Sequence, residues 1–349
     1  MELLIGLLII AIGSFGQSSS YVPIKKVKEW SWESFWLTQG LFAWLVFPLL
    51  GALLAIPEGQ NLFAVIGTAD SSAILKTIFF GVLWGIGGLT FGLSMRYLGV
   101  ALGQSIALGT CSAFGTLIPP LLPSLFPEAK PLTLLLTVGV AIMLAGISII
   151  GYAGALKAQN LSEEEKRKAV KDFALKKGLL IALLSGVMSA CFNLGLEAGA
   201  PIKKVLLDNG VDALYAGLPS ILLVTLGGFV ANACYCIGQN IKNKTGKEYF
   251  SVKGNVLMNN LLFCALAGGL WYSQFFGFEM GKSFLTGSPV LLAFSWGILM
   301  SLNVTFSNLW GIWLKEWKGV GTKTVTVLIV GLLVLISSII LMAIANPAA

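Results

Sequence analysis

Stretches of about twenty apolar residues follow one another along almost the whole chain, and no other feature restricts its fold as strongly. A helix needs about twenty such residues to cross a bilayer. Only 11% of the residues are charged, against about 25% in soluble domains. The sequence therefore predicts an all-α integral membrane protein with ten transmembrane helices, at residues 2–22, 34–56, 73–95, 97–118, 131–152, 178–200, 212–238, 254–277, 290–313 and 324–345.

The positive charges predict how these helices are oriented in the membrane. Of the 23 Lys and Arg residues, 18 fall in the odd-numbered connections, and cytoplasmic connections carry the excess of Lys and Arg. We therefore expect the odd-numbered connections in the cytoplasm and both termini outside. This topology accounts for the net charge of +7 without nucleic acid as a partner. Since no Lys or Arg precedes residues 2–22, we expect a retained helix there and not a cleaved signal peptide.

Residue types that usually hold metals or catalyse reactions are scarce. The chain has no histidine, the commonest metal ligand and general base. All five cysteines lie in apolar stretches, where thiols mostly pack like small hydrophobic groups. We therefore expect no disulfide, no metal site and no cofactor. No Walker A motif suggests the use of ATP.

One basic motif occurs twice and indicates a duplication. PIKKV stands at residues 23–27 and again at 201–205, each time after an apolar stretch that contains GLLI. The stretch WGIGGLTF at 84–91 likewise resembles AGGLWY at 267–272. Apolar segments share a small alphabet, so chance similarity is the alternative. Two lysines at equivalent positions favour a repeat.

The two copies predict an inverted arrangement. Each copy holds five predicted helices, and because five is odd, the second copy enters the membrane in the opposite orientation. The predicted organisation is a first five-helix repeat at 1–152, a charged cytoplasmic linker at 153–177 and a second five-helix repeat at 178–349. Inverted repeats are typical of secondary transporters, which bind their substrate near the middle of the membrane. The sequence thus predicts transport by alternating access.

Four short strings resemble those of a known family. YVPIKKVKEWSWE at residues 21–33 is similar to the signature after the first helix of the L-rhamnose–proton symporter family, in the drug/metabolite transporter superfamily. MRYLG at 95–99, WYSQFF at 271–276 and LKEW at 314–317 resemble three further family strings in the same order. The resemblance implies ten helices in two inverted halves. It also implies proton-coupled uptake of a 6-deoxyhexose such as L-rhamnose across the bacterial inner membrane.

Polar and aromatic residues within the predicted helices are candidates for a sugar site. A sugar needs hydrogen-bond partners for its hydroxyls and an apolar or aromatic surface for its C–H face. Serines often bond their own helix and tryptophans often lie at the membrane surface, so packing roles remain open, and we expect Trp30, Trp32 and Trp317 at that surface. The predicted substrate-binding residues are Gln17, Ser18, Trp84, Gln104, Asn193, Trp271, Gln274, Trp296 and Asn303.

Proton coupling needs a titratable group that faces one side of the membrane at a time. Glu197 lies within the end of the sixth predicted helix. A carboxyl group in a cleft of low polarity has a raised pKa and can load a proton, so we predict Glu197 as the proton carrier. The other charges near helix ends are expected to be solvated and interfacial: Glu33, Asp70, Arg96 and Glu279.

Three other functions remain open. A drug or metabolite exporter of the same fold, working by proton antiport, is the first. The neutral stretch GSFGQ at residues 13–17 counts against it, because a cation exporter is expected to hold a carboxylate there. An integral-membrane transferase is a remote alternative, since the chain lacks histidine and an intramembrane acid pair. A sensor that transports nothing is the third. The expected partners are the sugar and membrane lipids, and the sequence does not indicate whether the protein dimerises.

Overall fold

The computed structural model describes residues 1–98, 100–159, 175–315 and 317–345. These residues are mostly helical, and no strand occurs among them. The helices are α1 (Glu2–Ser19), α2 (Tyr21–Ile24), α3 (Trp32–Leu41), α4 (Phe47–Ala55), α5 (Leu62–Gly67), α6 (Ser71–Leu98), α7 (Val100–Leu121), α8 (Leu134–Gln159), α9 (Leu175–Ala198), α10 (Ala200–Asp208), α11 (Leu218–Asn243), α12 (Glu248–Ser251), α13 (Gly254–Ser283), α14 (Pro289–Trp313) and α15 (Thr322–Ile344).

Nine helical segments of the described residues are long and apolar enough to cross a membrane. Each of them overlaps one of the predicted spans, with ends that differ by a few residues in most cases. The stretch predicted at 97–118 lies mostly in α7, which is not among these nine. The tenth span therefore stays a prediction.

Large apolar side chains cover the outside of these helices. Ile12, Leu54 and Leu134 are 73%, 80% and 82% exposed. Soluble monomers rarely expose large contiguous apolar patches, whereas lipid tails are as apolar as leucine. Their exposure agrees with the predicted integral membrane protein.

The chain forms two compact units. Unit 1 consists of Met1–Leu3, Ile86–Glu197 and Phe284–Ala349, and unit 2 consists of Leu4–Gly85 and Ala198–Ser283. Each unit thus draws segments from both predicted repeats. The predicted repeats are copies of sequence and not compact units, so their boundaries stay a prediction. Most of the predicted linker at 153–177, including its charged run, lies outside the described residues.

Glycines bring α8 and α15 into backbone contact in unit 1. A Cβ on Gly146 would lie 2.7 Å from the backbone nitrogen of Leu335, and a Cβ on Gly331 would lie 2.9 Å from that of Ile150. Residue numbers increase along one helix where they decrease along the other, from Gly146 beside Leu335 to Ile150 beside Gly331, so the helices are antiparallel. Small residues of this kind let helices associate in lipid.

Glycines likewise join α1 to α13 in unit 2. A Cβ on Gly13 would lie 2.6 Å from the carbonyl oxygen of Ser273, and a Cβ on Gly281 would lie 2.7 Å from that of Gly6. The hydroxyl of Ser273 donates a hydrogen bond to the carbonyl of Gly13 at 3.2 Å. This antiparallel contact fixes which residues of α1 and α13 lie side by side.

A π-turn at Phe42–Val46 connects α3 to α4. The N–H of Phe47 donates to the carbonyl of Phe42, five residues earlier. The next residue is Pro48, which has no N–H to continue the regular ladder. Single π-turns are frequent at functional sites, and this one carries Trp44, which is only 4% exposed.

Candidate functional site

The two copies of PIKKV lie at opposite ends of α13. Near the start of α13, the amide nitrogen of Asn259 donates to the carbonyl of Lys26 at 2.8 Å. Near its end, the Nζ of Lys203 donates to the Oε2 of Glu279 at 3.0 Å. Asn259 and Glu279 are separated by a rise of about 30 Å along a helix, which is the thickness of the hydrocarbon core.

Five of the predicted substrate-binding residues belong to unit 2, and the contact between α1 and α13 brings four of them to one region. A Cβ on Gly13 would lie 3.1 Å from the Cα of Gln274. One turn later in α1, the hydroxyl of Ser18 donates to the Oε1 of Gln17 at 3.3 Å. Trp271 lies one turn before Gln274, whose amide nitrogen donates to the Trp271 carbonyl at 3.0 Å.

The fifth residue, Trp84, joins the same region through an aromatic cluster. The ring centroids of Trp84 and Trp271 are 5.8 Å apart. Trp44 packs edge-on against both rings, at 5.8 Å from Trp84 and 6.1 Å from Trp271. Trp84 and Trp271 are half-buried. These two indoles form an aromatic surface of the kind that a sugar needs.

Two buried polar groups lack a partner among the residues that the structure describes: the indole nitrogen of Trp44, within this cluster, and the hydroxyl of Tyr272, which follows Trp271 on α13 and lies against Gly51. Tyr272 is 6% exposed, and Trp36 lies against Trp44 with ring centroids 5.5 Å apart. In contrast, the indole nitrogen of Trp36 donates to the Oδ1 of Asn232 at 3.0 Å. A buried polar group without a partner is costly, so Trp44 and Tyr272 are candidates for bonding a ligand hydroxyl.

Two predicted residues of unit 1 converge on the backbone of α7. The amide nitrogen of Asn193 donates to the carbonyl of Gly115 at 2.8 Å. The indole nitrogen of Trp296 donates to the carbonyl of Cys111 at 3.4 Å, and its ring stacks on Phe192 at 6.1 Å. Trp296 is 3% exposed. In this conformation both side chains hold helices together.

The other two predicted residues of unit 1 lie away from this pair. Gln104 precedes Gly115 on α7 by about 16 Å of helical rise, and Asn303 follows Trp296 on α14 by about 10 Å. Both side chains are half-buried.

Glu279 is buried, and the expectation that it is solvated is wrong. Its side chain is 3% exposed. Its two oxygens face the ammonium groups of Lys203 at 3.0 Å and Lys282 at 3.6 Å. The second PIKKV motif supplies Lys203, so the carboxylate is neutralised by a residue distant in sequence.

The same expectation is wrong for Glu33, which is 7% exposed. The carboxylate accepts hydrogen bonds from the amide nitrogen of Asn243 at 2.8 Å and the hydroxyl of Thr245 at 2.9 Å. Asp70 is exposed as expected, and the side chain of Arg96 lies outside the described residues. Glu197, the predicted proton carrier, is half-buried in the last turn of α9.

Residues 1–346 match the L-rhamnose-proton symport protein (RhaT) family. The chain belongs to this family. It is 35% identical over 338 residues to proteins named L-rhamnose-proton symporter from Yersinia pestis (strain Pestoides F) and Yersinia pseudotuberculosis serotype O:1b (strain IP 31758). The matches cover 96% of this chain and 95% of each relative. The family resemblance predicted from the four strings is confirmed.

The RhaT family is one of transporters and not of enzymes, as the sequence predicts. Its placement in the drug/metabolite transporter superfamily stays a prediction. Sequence reasoning missed Trp44 as a member of the aromatic region. Trp36 and Trp44 are eight residues apart and therefore share a helix face, which was the available signal. Nothing in the sequence told which other helix that face meets.

Two cavities of this RhaT-family protein lie elsewhere. One of about 440 Å³ lies at the end of α8 and is lined by Leu156, Gln159, Gly319, Val320, Gly321, Lys323 and Thr324. Another of about 400 Å³ lies at the end of α11. Neither is lined by a predicted substrate-binding residue. The region around Trp84 and Trp271 remains the better sugar-site candidate, because it combines an aromatic surface with buried hydrogen-bonding groups.

Proposed function

We propose that this protein imports L-rhamnose together with protons, as a secondary active transporter that works by alternating access. The observation that carries the proposal is the family match over residues 1–346. The relatives at 35% identity, which are named L-rhamnose-proton symporter, support it. We further propose the bacterial inner membrane as its location, ten membrane helices, and both termini outside.

An inverted repeat supplies the mechanism of this proposal. The positions of Lys26 and Lys203 at opposite ends of α13 support it. So do two equivalent contacts: Ser273 of the eighth predicted helix donates to Gly13 of the first, and Ser185 of the sixth donates to Gly87 of the third at 3.0 Å. Each contact joins the first helix of one copy to the third helix of the other. That is the pattern expected of two copies in opposite orientations.

We assign sugar binding in unit 2 to the indoles of Trp84 and Trp271 and to the polar side chains of Gln17, Ser18 and Gln274. The indoles face the C–H surface and the methyl group of a 6-deoxyhexose, and the amides and hydroxyl bond its hydroxyl groups. From unit 1, Gln104, Asn193, Trp296 and Asn303 are the further candidates. Asn193 and Trp296 contact sugar only if their bonds to α7 open during transport.

The proton is the coupling ion, and Glu197 carries it. Its half-buried position in the last turn of α9 supports this assignment. Glu279 is less suited, because both of its oxygens already face ammonium groups. One charge that moves down 100 mV releases about 2.3 kcal/mol, which supports an accumulation of roughly fiftyfold.

Purified protein in liposomes with a pH gradient tests the proposal. External L-rhamnose is expected to drive proton entry, which an internal pH dye reports. Proton exit in response to drugs or metabolites instead favours the exporter, and the absence of any response to sugars contradicts the symporter.

Glu197→Gln tests the proton carrier. Accumulation against a gradient is expected to fall to the level of equilibration, while counterflow exchange of labelled rhamnose continues. Glu58→Gln, which makes the same change at an exposed residue, is the matched control and keeps full accumulation. Full accumulation by Glu197→Gln removes this residue from the mechanism.

A further inference from the structure

The cavity of about 400 Å³ at the end of α11 combines an apolar wall with a cationic rim. It is lined by Leu37, Ile237, Asn240, Ile241, Lys244, Gly246, Lys247 and Tyr249. All of these residues belong to unit 2. Because α11 ends at Asn243 and Lys244 and Lys247 follow it, the cavity lies where a membrane helix ends and a basic connection begins.

The apolar wall faces outward. Ile237 and Ile241 are 50% and 75% exposed, and they are one turn apart on α11. Leu37 on α3 is half-exposed. A protein that spans a membrane presents such side chains to lipid tails, so this wall suits an acyl chain.

The cationic rim consists of Lys244 and Lys247, which are exposed. Neither ammonium group has an ion-pair partner in the part of the chain that the structure describes. The nearby carboxylates are occupied by uncharged donors: Glu33 by Asn243 and Thr245, and Glu248 by the N–H and hydroxyl of Ser31 at 2.8 Å each. The two lysines are thus available to an anion.

Asn240 and Tyr249 give the cavity a polar floor. Asn240 is 7% exposed, and its amide nitrogen donates to the Tyr249 hydroxyl at 3.1 Å. The amide oxygen of Asn240 has no partner within the described ranges. Partial burial raises the pKa of the Tyr249 phenol, so this group stays uncharged. The floor offers hydrogen bonds to a headgroup and carries no negative charge to repel it.

Aromatic residues place the rim at the level of lipid headgroups. Trp30 packs edge-on against Tyr249 with ring centroids 5.7 Å apart, and its indole nitrogen donates to the Glu248 carbonyl at 3.1 Å. Trp32 and Phe250 are 51% and 89% exposed. Tryptophan and tyrosine concentrate at the boundary between lipid and water.

We propose that this cavity binds an anionic phospholipid, whose phosphate lies between Lys244 and Lys247 and whose acyl chain lies along Leu37, Ile237 and Ile241. The chemistry selects a lipid over a free phosphate, because an apolar wall adjoins the cationic rim. It selects an anionic over a zwitterionic lipid, because the rim carries two exposed ammonium groups, whereas the carboxylates of Glu33 and Glu248 are bonded to Asn243, Thr245 and Ser31 and do not pair with them.

Native mass spectrometry of the full-length protein tests the proposal, with phosphatidylglycerol and phosphatidylcholine of identical acyl chains as probes. The wild type is expected to bind phosphatidylglycerol more tightly. The double variant Lys244→Gln/Lys247→Gln is expected to bind it roughly thirtyfold more weakly, which is the effect of two lysines near an anionic surface. The matched control, Lys25→Gln/Lys26→Gln, removes two exposed lysines that do not line the cavity and is expected to bind within about threefold of wild type.

Three results overturn the proposal: equal binding of the two lipids by the wild type, equal weakening in both double variants, or displacement of phosphatidylglycerol by equimolar inorganic phosphate. A second measurement needs only the wild type. In nanodiscs, phosphatidylglycerol is expected to slow the acetylation of Lys244 and Lys247 more than that of Lys25 and Lys26, relative to phosphatidylcholine. Uniform slowing at all four lysines contradicts a specific site.

Discussion

Replacing Glu279 with glutamine removes the negative charge that pairs with Lys203 and Lys282. The carboxylate is 3% exposed, and the two lysine side chains are 30% and 15% exposed. Removal of one partner from a buried ion pair costs about 3–5 kcal/mol, because the remaining charge is left uncompensated. Water reaches both lysines in part, so we expect the lower end, a loss of about 3 kcal/mol in the free energy of unfolding.

Companion variants separate this effect from a general loss of packing. Lys203→Met leaves Glu279 beside Lys282, so its expected cost is about 1.5 kcal/mol, the value of one hydrogen bond to a charged group. In Glu279→Gln/Lys203→Met the second change removes one of the two ammonium groups left uncompensated, so the double variant is expected to lose no more than about 3 kcal/mol. The two costs are thus non-additive by at least about 1.5 kcal/mol, as contacting residues usually are.

Reversible unfolding in mixed SDS micelles, followed by circular dichroism, measures these free energies. Glu58→Gln is the control, since the same change at an exposed site is expected to stay within about 0.5 kcal/mol of wild type. The reasoning fails if Glu279→Gln matches Glu58→Gln, or if the costs in the double variant add. Gly217→Ala gives an independent check, because a Cβ there overlaps the Glu279 carboxylate.

Two further pairs of variants test the aromatic region and the helix contacts. Trp44→Phe keeps an aromatic side chain but removes the five-membered ring with its N–H, so we expect rhamnose affinity to fall at least about tenfold, the value of one hydrogen bond, in a binding titration. Trp36→Phe removes the bond to Asn232 and is expected to lower the free energy of unfolding by about 1 kcal/mol while rhamnose affinity is unchanged. A loss of affinity in Trp36→Phe but not in Trp44→Phe contradicts a ligand role for Trp44. Gly13→Ala forces α1 from α13 and is expected to cost about 1–3 kcal/mol, whereas Gly88→Ala meets open space and leaves SDS unfolding unaltered. Equal costs at the two glycines refute the close backbone contact.

The sequence by itself determined that this protein lies in a membrane and which family it belongs to. Apolar stretches specify membrane helices because each residue interacts with lipid locally, whatever its neighbours in space. The family strings and the repeated PIKKV are equally local, so they were readable without coordinates. The opposite ends of α13 at which Lys26 and Lys203 lie agree with the predicted inversion.

Only the tertiary structure decided which polar groups are buried and with what. The sequence predicts that Glu279 is solvated, because it lies near a helix end. Its partner Lys203 is 76 residues away, so the sequence does not show that the two meet. Trp44 acquires its neighbours from α6 and α13 after a π-turn that periodicity alone did not predict. Burial of a charge or an indole depends on the faces that distant helices present to each other, and those faces meet only when the chain has folded.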